Sequence, residues 1–340
     1  MKADLDFANL DFRYRKTDYN IRYYYRDGKW SKGELVSSEN LELNIASTCL
    51  HYGQACFEGM KVFENREGKA IAFRIDENAK RLQRSAKKIF MVEVPQEIFI
   101  EAVYKVVDAN RKYIPPYGTG ASLYVRPLLI GISPHIGVKA SEEYIFLILV
   151  LPVGPYFKGG FKPVKLLTVE DIDRAAPYGV GDIKAAGNYA AGMRGTFMAK
   201  QNGYADVLYL DAVERKYIDE SGPANFIAIL KNDTYVTPAS SSILPSITNA
   251  SLQTIAKDFG LSVEKRQLAI SEITNFAEAA CCGTAAVLTP IGTIKYRDII
   301  YNFYDDGNTA GPHTTRLYDT LTGIQAGALE DKYNWTFEIP

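Results

Sequence analysis

The chain has 340 residues, a formal net charge of −1 and an apolar share of 47%, enough for about two domains with cores of their own. With no acidic or basic tail, it offers neither nucleic acid nor an anionic membrane an electrostatic hold. Four cysteines (Cys49, Cys56, Cys281, Cys282) are too few and too poorly spaced for a disulfide framework or a zinc site, and the three histidines never fall in ligand spacing.

The run Met1 to Phe7 lacks the apolar stretch of a signal peptide, and no segment reaches the roughly 18 consecutive apolar residues of a spanning helix. A reducing cytoplasm with free thiols is the expected setting. Residues 19–36 alternate enough to predict a strand with a turn at Asp27-Gly28. Asp76 is placed to cap a helix whose Ala79, Leu82, Ala86, Ile89 and Phe90 form an apolar stripe. A second helix is predicted over 97–112, and buried strands over 121–132 and 143–153. Glycine and proline crowd residues 154–163, the composition of an interdomain connection. Beyond it, residues 189–201 are helix-like with Gly203 as a stop, and 205–237 are strands joined by turns. Residues 246–259 form a helix closed by Gly260, 284–304 return to short strands, and 313–325 make a last helix. The pattern is α+β in two domains, without repeats and without regular βαβ alternation.

Five segments suit chemistry better than plain core. In Gly181-Asp-Ile-Lys-Ala-Ala-Gly-Asn-Tyr189, small residues flank Lys184, so a planar group can lie beside its amine. A desolvated lysine has a lowered pKa and becomes a nucleophile able to form a Schiff base, and Tyr189 can hydrogen-bond what it holds. The competing reading is a loop lysine ahead of a helix. Glu220, before Ser-Gly-Pro and an apolar strand, is either a turn residue facing water or a carboxylate aimed into a cleft at a protonated ring nitrogen. Leu244-Pro-Ser-Ile-Thr-Asn-Ala250 opens a helix, whose free N–H groups favour an anion. Cys282-Gly-Thr-Ala-Ala286 is a tight turn suited to the same task. On a strand, Tyr124 and Arg126 share a face and make a carboxylate receptor, or a structural ion pair. Cys281 and Cys282 have no evident histidine partner and read as buried structural thiols. A lysine, a ring-nitrogen carboxylate and a phosphate cradle are what pyridoxal phosphate demands of a protein.

These segments, with Leu50-His-Tyr-Gly-Gln-Ala-Cys-Phe-Glu-Gly-Met-Lys61, Arg81-Leu-Gln-Arg-Ser-Ala86, Tyr124-Val-Arg-Pro127 and Arg174-Ala-Ala-Pro177, resemble the branched-chain-amino-acid aminotransferases, members of the fold-type IV pyridoxal-phosphate enzymes. Ile183 to Tyr189, Glu220 to Phe226, Leu244 to Thr248, Gly283 to Ala286 and the tail from Leu321 with Trp335 continue the match from about residue 50 to the end of the chain. The resemblance implies a D-amino-acid-aminotransferase-like fold. Its smaller N-terminal α/β domain would span 1–153, a connecting loop 154–163, and a larger C-terminal pseudo-barrel domain 164–340. It implies that Lys184 is the Schiff-base lysine and proton carrier, that Glu220 holds the pyridine nitrogen protonated, and that Tyr189 meets the ring oxygen. Arg81, reaching from its helix across the domain interface, Ile247, Thr248 and Thr284 would bind the phosphate of pyridoxal 5′-phosphate. Tyr52, Phe57, Tyr124, Arg126, Tyr156 and Ala285 would line the substrate pocket, whose aromatic walls suit a branched side chain.

Ser246 stands where glycine is common in the family, Asn249 where arginine is common, and Pro223 replaces a residue that carries a hydroxyl in some relatives. The Cys-x-x-Cys pair of some relatives is absent after Thr284, so no thiol switch of that kind is expected. The implied activity is transamination of leucine, isoleucine or valine with 2-oxoglutarate by a homodimer. A D-amino-acid aminotransferase or aminodeoxychorismate lyase is the alternative within the fold. A non-catalytic binding protein and a thiol hydrolase are the alternatives outside it.

Overall fold

The computed structural model describes residues 2–154, 156 and 160–340, and these divide into two compact units. The first comprises Met1–Lys158, Ile183–Gly187 and Gly323–Pro340; the second comprises Gly159–Asp182 and Asn188–Thr322. This division departs from continuous domains over 1–153 and 164–340 in two places, each for a local reason. The Ala185 backbone bridges to Cys56, and the last strand returns to pair within the first unit. The connection expected over 154–163 lies partly outside the described residues.

In the first unit, β1 (Asn20–Arg26) turns at Asp27 and Gly28, both at positive φ, into β2 (Lys29–Trp30), and β3 (Glu34–Val36) pairs back to β1. Strands β4 (Ala55–Phe57), β5 (Met60–Glu64), β6 (Ala70–Phe73), β7 (Ser122–Gly131), β8 (Tyr144–Val153) and the C-terminal β18 (Thr336–Glu338) complete the sheet. Its order is β18-β6-β5-β7-β8-β1-β2, with β4 also against β7.

Side chains alternate between the faces of a strand. Val62, Leu123, Val125, Phe146, Ile148 and Val150 therefore join one core with the buried stripes of helices α2 (Ile75–Lys88) and α3 (Gln96–Ala109). The opposite face carries Tyr124, Arg126 and Leu128 of β7 beside Leu147, Leu149 and Leu151 of β8. Lys61 lies directly across from Tyr124, and Phe57 across from Leu128. One face of the sheet thus holds the unit together and the other collects its polar chemistry.

Helix α2 differs from expectation at both ends. Its N-cap is Arg74 in the left-handed region, with Asp76 inside the first turn, where a carboxylate favours the helix dipole without capping. Ala79, Leu82 and Ala86 are buried as the stripe predicts. Phe90 lies past the helix end at positive φ and is exposed, so it leaves the stripe. The short helix α1 (Thr48–Tyr52) ends at Gly53 in the left-handed conformation.

In the second unit, β9 (Val164–Val169), β10 (Asp206–Leu210), β11 (Ile218–Ser221), β12 (Ala224–Leu230), β15 (Phe276–Gly283) and β16 (Val287–Tyr296) pair in the order β11-β10-β9-β16-β15-β12, and β12 pairs back to β11. The ring of strands is closed, which removes its edges. Strands β13 (Thr234–Pro238) and β14 (Ser262–Arg266) extend from β12, and β17 (Ile299–Asn302) from β16. Helix α4 (Ala186–Gln201), which begins in the first unit, lies between the parallel strands β9 and β10 in the chain, and α5 (Ile247–Asp258) links the parallel pair β13 and β14. These are two local crossovers rather than a regular alternation. Helix α6 (Pro312–Gln325) follows the barrel strands. No helix among the described residues is long and apolar enough to cross a membrane.

Leu82 is fully buried one residue from Arg81, which makes it the packing anchor for the polar side of α2. Leu82→Ala should lower the unfolding free energy by about 2–5 kcal/mol in a urea titration. A loss below about 1 kcal/mol would contradict its place in the core.

Candidate active site

In the first unit, Lys184 is fixed through its backbone. Its carbonyl accepts the Phe57 N–H at 3.2 Å, and its N–H donates to Ser85 Oγ at 3.1 Å, so β4 and α2 both hold it. The residue as a whole is half-buried, yet its amine packs among protein atoms, with Nζ 4.7 Å from the centre of the Phe57 ring. Desolvation lowers its pKa to about 8; the Arg81 guanidinium also lowers it, while Glu58 acts the other way. The small-residue flanks are thus accompanied by the desolvation that a nucleophilic lysine needs.

Arg81 is buried on α2 and makes a two-pronged ion pair with Glu58, Nε to Oε1 at 2.6 Å and Nη2 to Oε2 at 2.8 Å. Glu58, fully buried between β4 and β5, was not singled out from the sequence, although it lies in the matched run Phe57-Glu58-Gly59. Within the first unit this carboxylate holds the Arg81 guanidinium, since a buried cation needs such a partner.

Arg126 Nη2 donates to the Tyr124 hydroxyl at 2.9 Å, and its guanidinium lies 4.7 Å from the Phe57 ring centre. Arg126 Nε is buried and finds no hydrogen-bond partner among the described residues. Gly59 leaves room for the phenol, since a Cβ there would collide with the Tyr124 hydroxyl. The same face carries Lys61, which burial lowers to about 8 and which sequence reasoning left without a role. Of the other expected wall residues, Tyr52 donates to the Ile136 carbonyl, and Tyr156 packs edge-on to Phe12 with ring centres 5.4 Å apart.

In the second unit, Glu220 on β11 is 3% exposed, so it is not a turn residue facing water. Its Oε1 accepts from Asn225 Nδ2 at 2.7 Å and from the Leu244 N–H at 3.1 Å, and Oε2 pairs with Arg174 Nη1 at 3.0 Å. Arg174 in turn donates to the carbonyls of Gly181 and Ser242. The sequence assigns Arg174 and Asn225 no role; Asn225 faces Glu220 across the β11–β12 pairing, and Arg174 reaches it from the segment that follows β9. The sharp bend after Glu220 requires Gly222 at positive φ, where a Cβ would also strike the Asp206 carboxylate.

Helix α5 begins where the sequence places it. Ser246, in the position where glycine is common, is its N-cap and accepts the Asn249 N–H at 3.1 Å. Ile247 and Thr248 therefore occupy the first turn, where amides point out of the helix. Thr284 and Ala285 lie in the turn between β15 and β16, and Tyr189 lies in the first turns of α4. Cys281 and Cys282 are buried and their thiols are pushed up, Cys281 to about 12, which removes the thiolate a hydrolase would need. No group of residues able to hold a metal ion occurs among the described residues.

The family model for class IV aminotransferases matches residues 55–294. Two curated relatives, both named branched-chain-amino-acid aminotransferase, match over nearly full length. The Helicobacter pylori protein is 46% identical and covers 99% of this chain and 98% of its own; the Haemophilus influenzae protein is 45% identical, at 99% of each. The crystal structure of the Escherichia coli branched-chain amino acid aminotransferase superposes with a TM-score of 0.78 at 28% identity, covering 96% of this chain and 100% of that one.

Desolvation of the Lys184 amine has a direct consequence. Only the neutral amine reacts with an aldehyde, so capture of an aromatic aldehyde by Lys184 should rise with pH around a midpoint near 8, not the 10.5 of an exposed lysine. Arg126→Met removes a cation that holds the amine down and should move the midpoint upward. Stopped-flow absorbance across about pH 6.5–10 measures both; an unperturbed midpoint in the parent protein would contradict the desolvated amine.

Proposed function

The chain belongs to the class IV aminotransferases and exchanges amino groups as their branched-chain members do, and we propose that pyridoxal 5′-phosphate, bound through Lys184, Glu220 and the first turn of α5, is its cofactor. The reaction is reversible transamination of leucine, isoleucine or valine with 2-oxoglutarate, giving branched 2-oxo acids and glutamate.

The observation that carries the cofactor reading is the desolvated Lys184 amine, brought to about 8 on the sheet face that also holds Tyr124 and Arg126. The rest of the donor set fits the group. Glu220 offers a buried, fixed negative charge to a protonated ring nitrogen. The α5 amides at Ile247 and Thr248, with Arg81 and Thr284, suit a phosphate, and the Tyr189 phenol suits the ring oxygen. When bound, the cofactor supplies an aldehyde carbon and an electron-accepting ring.

The chain's own residues do the remainder. An amine titrating near 8 spends an appreciable share of its time neutral, so Lys184 can take and return a proton at Nζ. The Tyr124 hydroxyl and the Thr284–Ala285 amides receive the α-carboxylate common to all substrates. Phe57, Tyr52 and Tyr156 offer aromatic wall to an aliphatic side chain. Arg126, with its unused Nε, answers the distal carboxylate of glutamate. A homodimer acting in the cytoplasm completes the reading.

Lys184→Ala should abolish glutamate formation from leucine and 2-oxoglutarate, since nucleophile and proton carrier are lost together. Glu220→Gln should keep bound cofactor and lose turnover by orders of magnitude; near-normal turnover would remove Glu220 from this role.

Arg126 separates the two half-reactions. Arg126→Met should slow the glutamate half-reaction more than the leucine half-reaction, by about 2 kcal/mol in activation free energy. Single-turnover rates with each amino acid decide it. Equal losses would instead assign Arg126 to the shared α-carboxylate.

A further inference from the structure

Two buried asparagines connect Glu220 to helix α5, and their amide directions are dictated by groups that cannot reverse. Thr237 Oγ1 donates its hydrogen to the Phe226 carbonyl at 2.9 Å, so towards Asn249 it can only accept. Asn249 must therefore present its NH2, which it does at 2.8 Å. That NH2 also donates to Asn225 Oδ1 at 3.1 Å. Asn225 in turn directs its own NH2 to two acceptors, Glu220 Oε1 at 2.7 Å and the Leu244 carbonyl at 3.1 Å. The remaining oxygen of Asn249 is filled from outside the chain of amides, by the Tyr235 hydroxyl at 2.8 Å and Gln253 Nε2 at 3.1 Å. Glu220, Asn225, Thr237 and Asn249 are each at most 6% exposed, and Tyr235 is fully buried. In such a setting a reversed amide has no water to compensate it.

We propose that Asn249 is a positioning residue for the cofactor's ring nitrogen: it fixes the Asn225 amide with its NH2 towards Glu220, so that Glu220 remains an acceptor for the ring N–H. The proposal rests on the assignment of Glu220 to that nitrogen. Because Asn249 also follows Ile247 and Thr248 in the first turn of α5, one side chain ties the phosphate-binding turn to the ring-nitrogen carboxylate.

Asn249→Asp tests the direction of the relay with almost no change in volume. A carboxylate at this position cannot donate, so it competes with Glu220 and the Leu244 carbonyl for the Asn225 NH2, and the direction of that amide towards Glu220 is no longer secured. The readout is the affinity of the apoprotein for two probes, pyridoxal 5′-phosphate and its 1-deaza analogue, which has carbon in place of the ring nitrogen and the same phosphate. The parent protein should prefer pyridoxal 5′-phosphate. That preference should shrink by about tenfold or more in Asn249→Asp, as for a lost hydrogen bond to a charged group, while the analogue's affinity stays within about threefold. Glu220→Gln should abolish the same preference.

If the preference is lost in Glu220→Gln and retained in Asn249→Asp, the relay is wrong and the Glu220 assignment stands. Equal weakening of both probes would give Asn249 only a structural role on α5 and would also overturn the proposal. No preference in the parent protein would overturn the Glu220 assignment and the proposal with it. Asn249→Leu, checked for folding by apoprotein thermal unfolding, provides a second variant. It leaves Asn225 Oδ1 without its donor but unopposed, and should shrink the preference less than Asn249→Asp does.

Discussion

A charge taken out of water must find a partner, and the arrangement of both units follows from that requirement. A lone buried ion is penalised by several kcal/mol even after the protein relaxes, so burial is tolerated only with matched geometry. The first unit answers with Glu58 gripped at both oxygens by Arg81, and the second with Glu220 held by Arg174, Asn225 and the Leu244 amide. Neither pair is a surface ornament: all four side chains are less than a tenth exposed. Replacing either pair with apolar residues of equal volume need not destabilise the fold. Their presence is better accounted for by what they keep in place, namely a lysine beside one pair and a carboxylate of fixed direction within the other.

Local sequence disclosed the parts of the site whose chemistry is local. Lys184 was legible from its small neighbours, the Tyr124–Arg126 pair from strand alternation, and the start of α5 from Pro245 and Ser246. The partners were not legible. Arg81 meets Glu58 across 23 residues, and Asn225 meets Asn249 across 24, each through the packing of a helix against strands that no short pattern encodes. The fold follows the same rule. Both long strands of the first sheet and the helices α3 and α5 fall close to their predicted ranges, because periodicity specifies them. The pairing of β18 with β6 and the closure of the barrel through β11 and β12 depend on contacts between distant segments or between elements each too short to declare themselves. The cap of α2 was misassigned because Asp76 is an acceptable N-cap by type, while the chain bends two residues earlier, at Arg74 in the left-handed region.

The departures at 246 and 249 belong together. A serine at 246 brings a side-chain cap that glycine lacks, and the donor it captures is the backbone N–H of Asn249. With its backbone anchored, the Asn249 side chain is free to point inward, where an amide fits between Thr237 and Asn225. A longer cationic side chain at that position would put a charge among the neutral, buried groups that Asn249 bonds, Thr237, Asn225 and Tyr235, at a desolvation cost that a neutral amide avoids. Asparagine is neutral, short and able to donate and accept at once, which is what a relay between a hydroxyl and a second amide requires.

The charged groups on this side of the first unit also act on the Lys184 amine. At Lys184 the Arg81 and Arg126 guanidiniums favour the neutral form, Glu58 and the Tyr124 phenol favour the charged one, and desolvation outweighs them all. Glu58 and Arg81 are bonded to each other, so their effects at the amine largely oppose and desolvation sets the resting state. Arg126 is different, because its Nε is uncommitted among the described residues and its partner is a neutral hydroxyl. A carboxylate arriving at Arg126 would cancel one of the two cations acting on Lys184 and so raise the basicity of its amine. The lysine would then be less basic while Arg126 is unopposed and more basic once a carboxylate opposes it, so that one arginine couples the charge of an arriving group to the proton affinity of the amine.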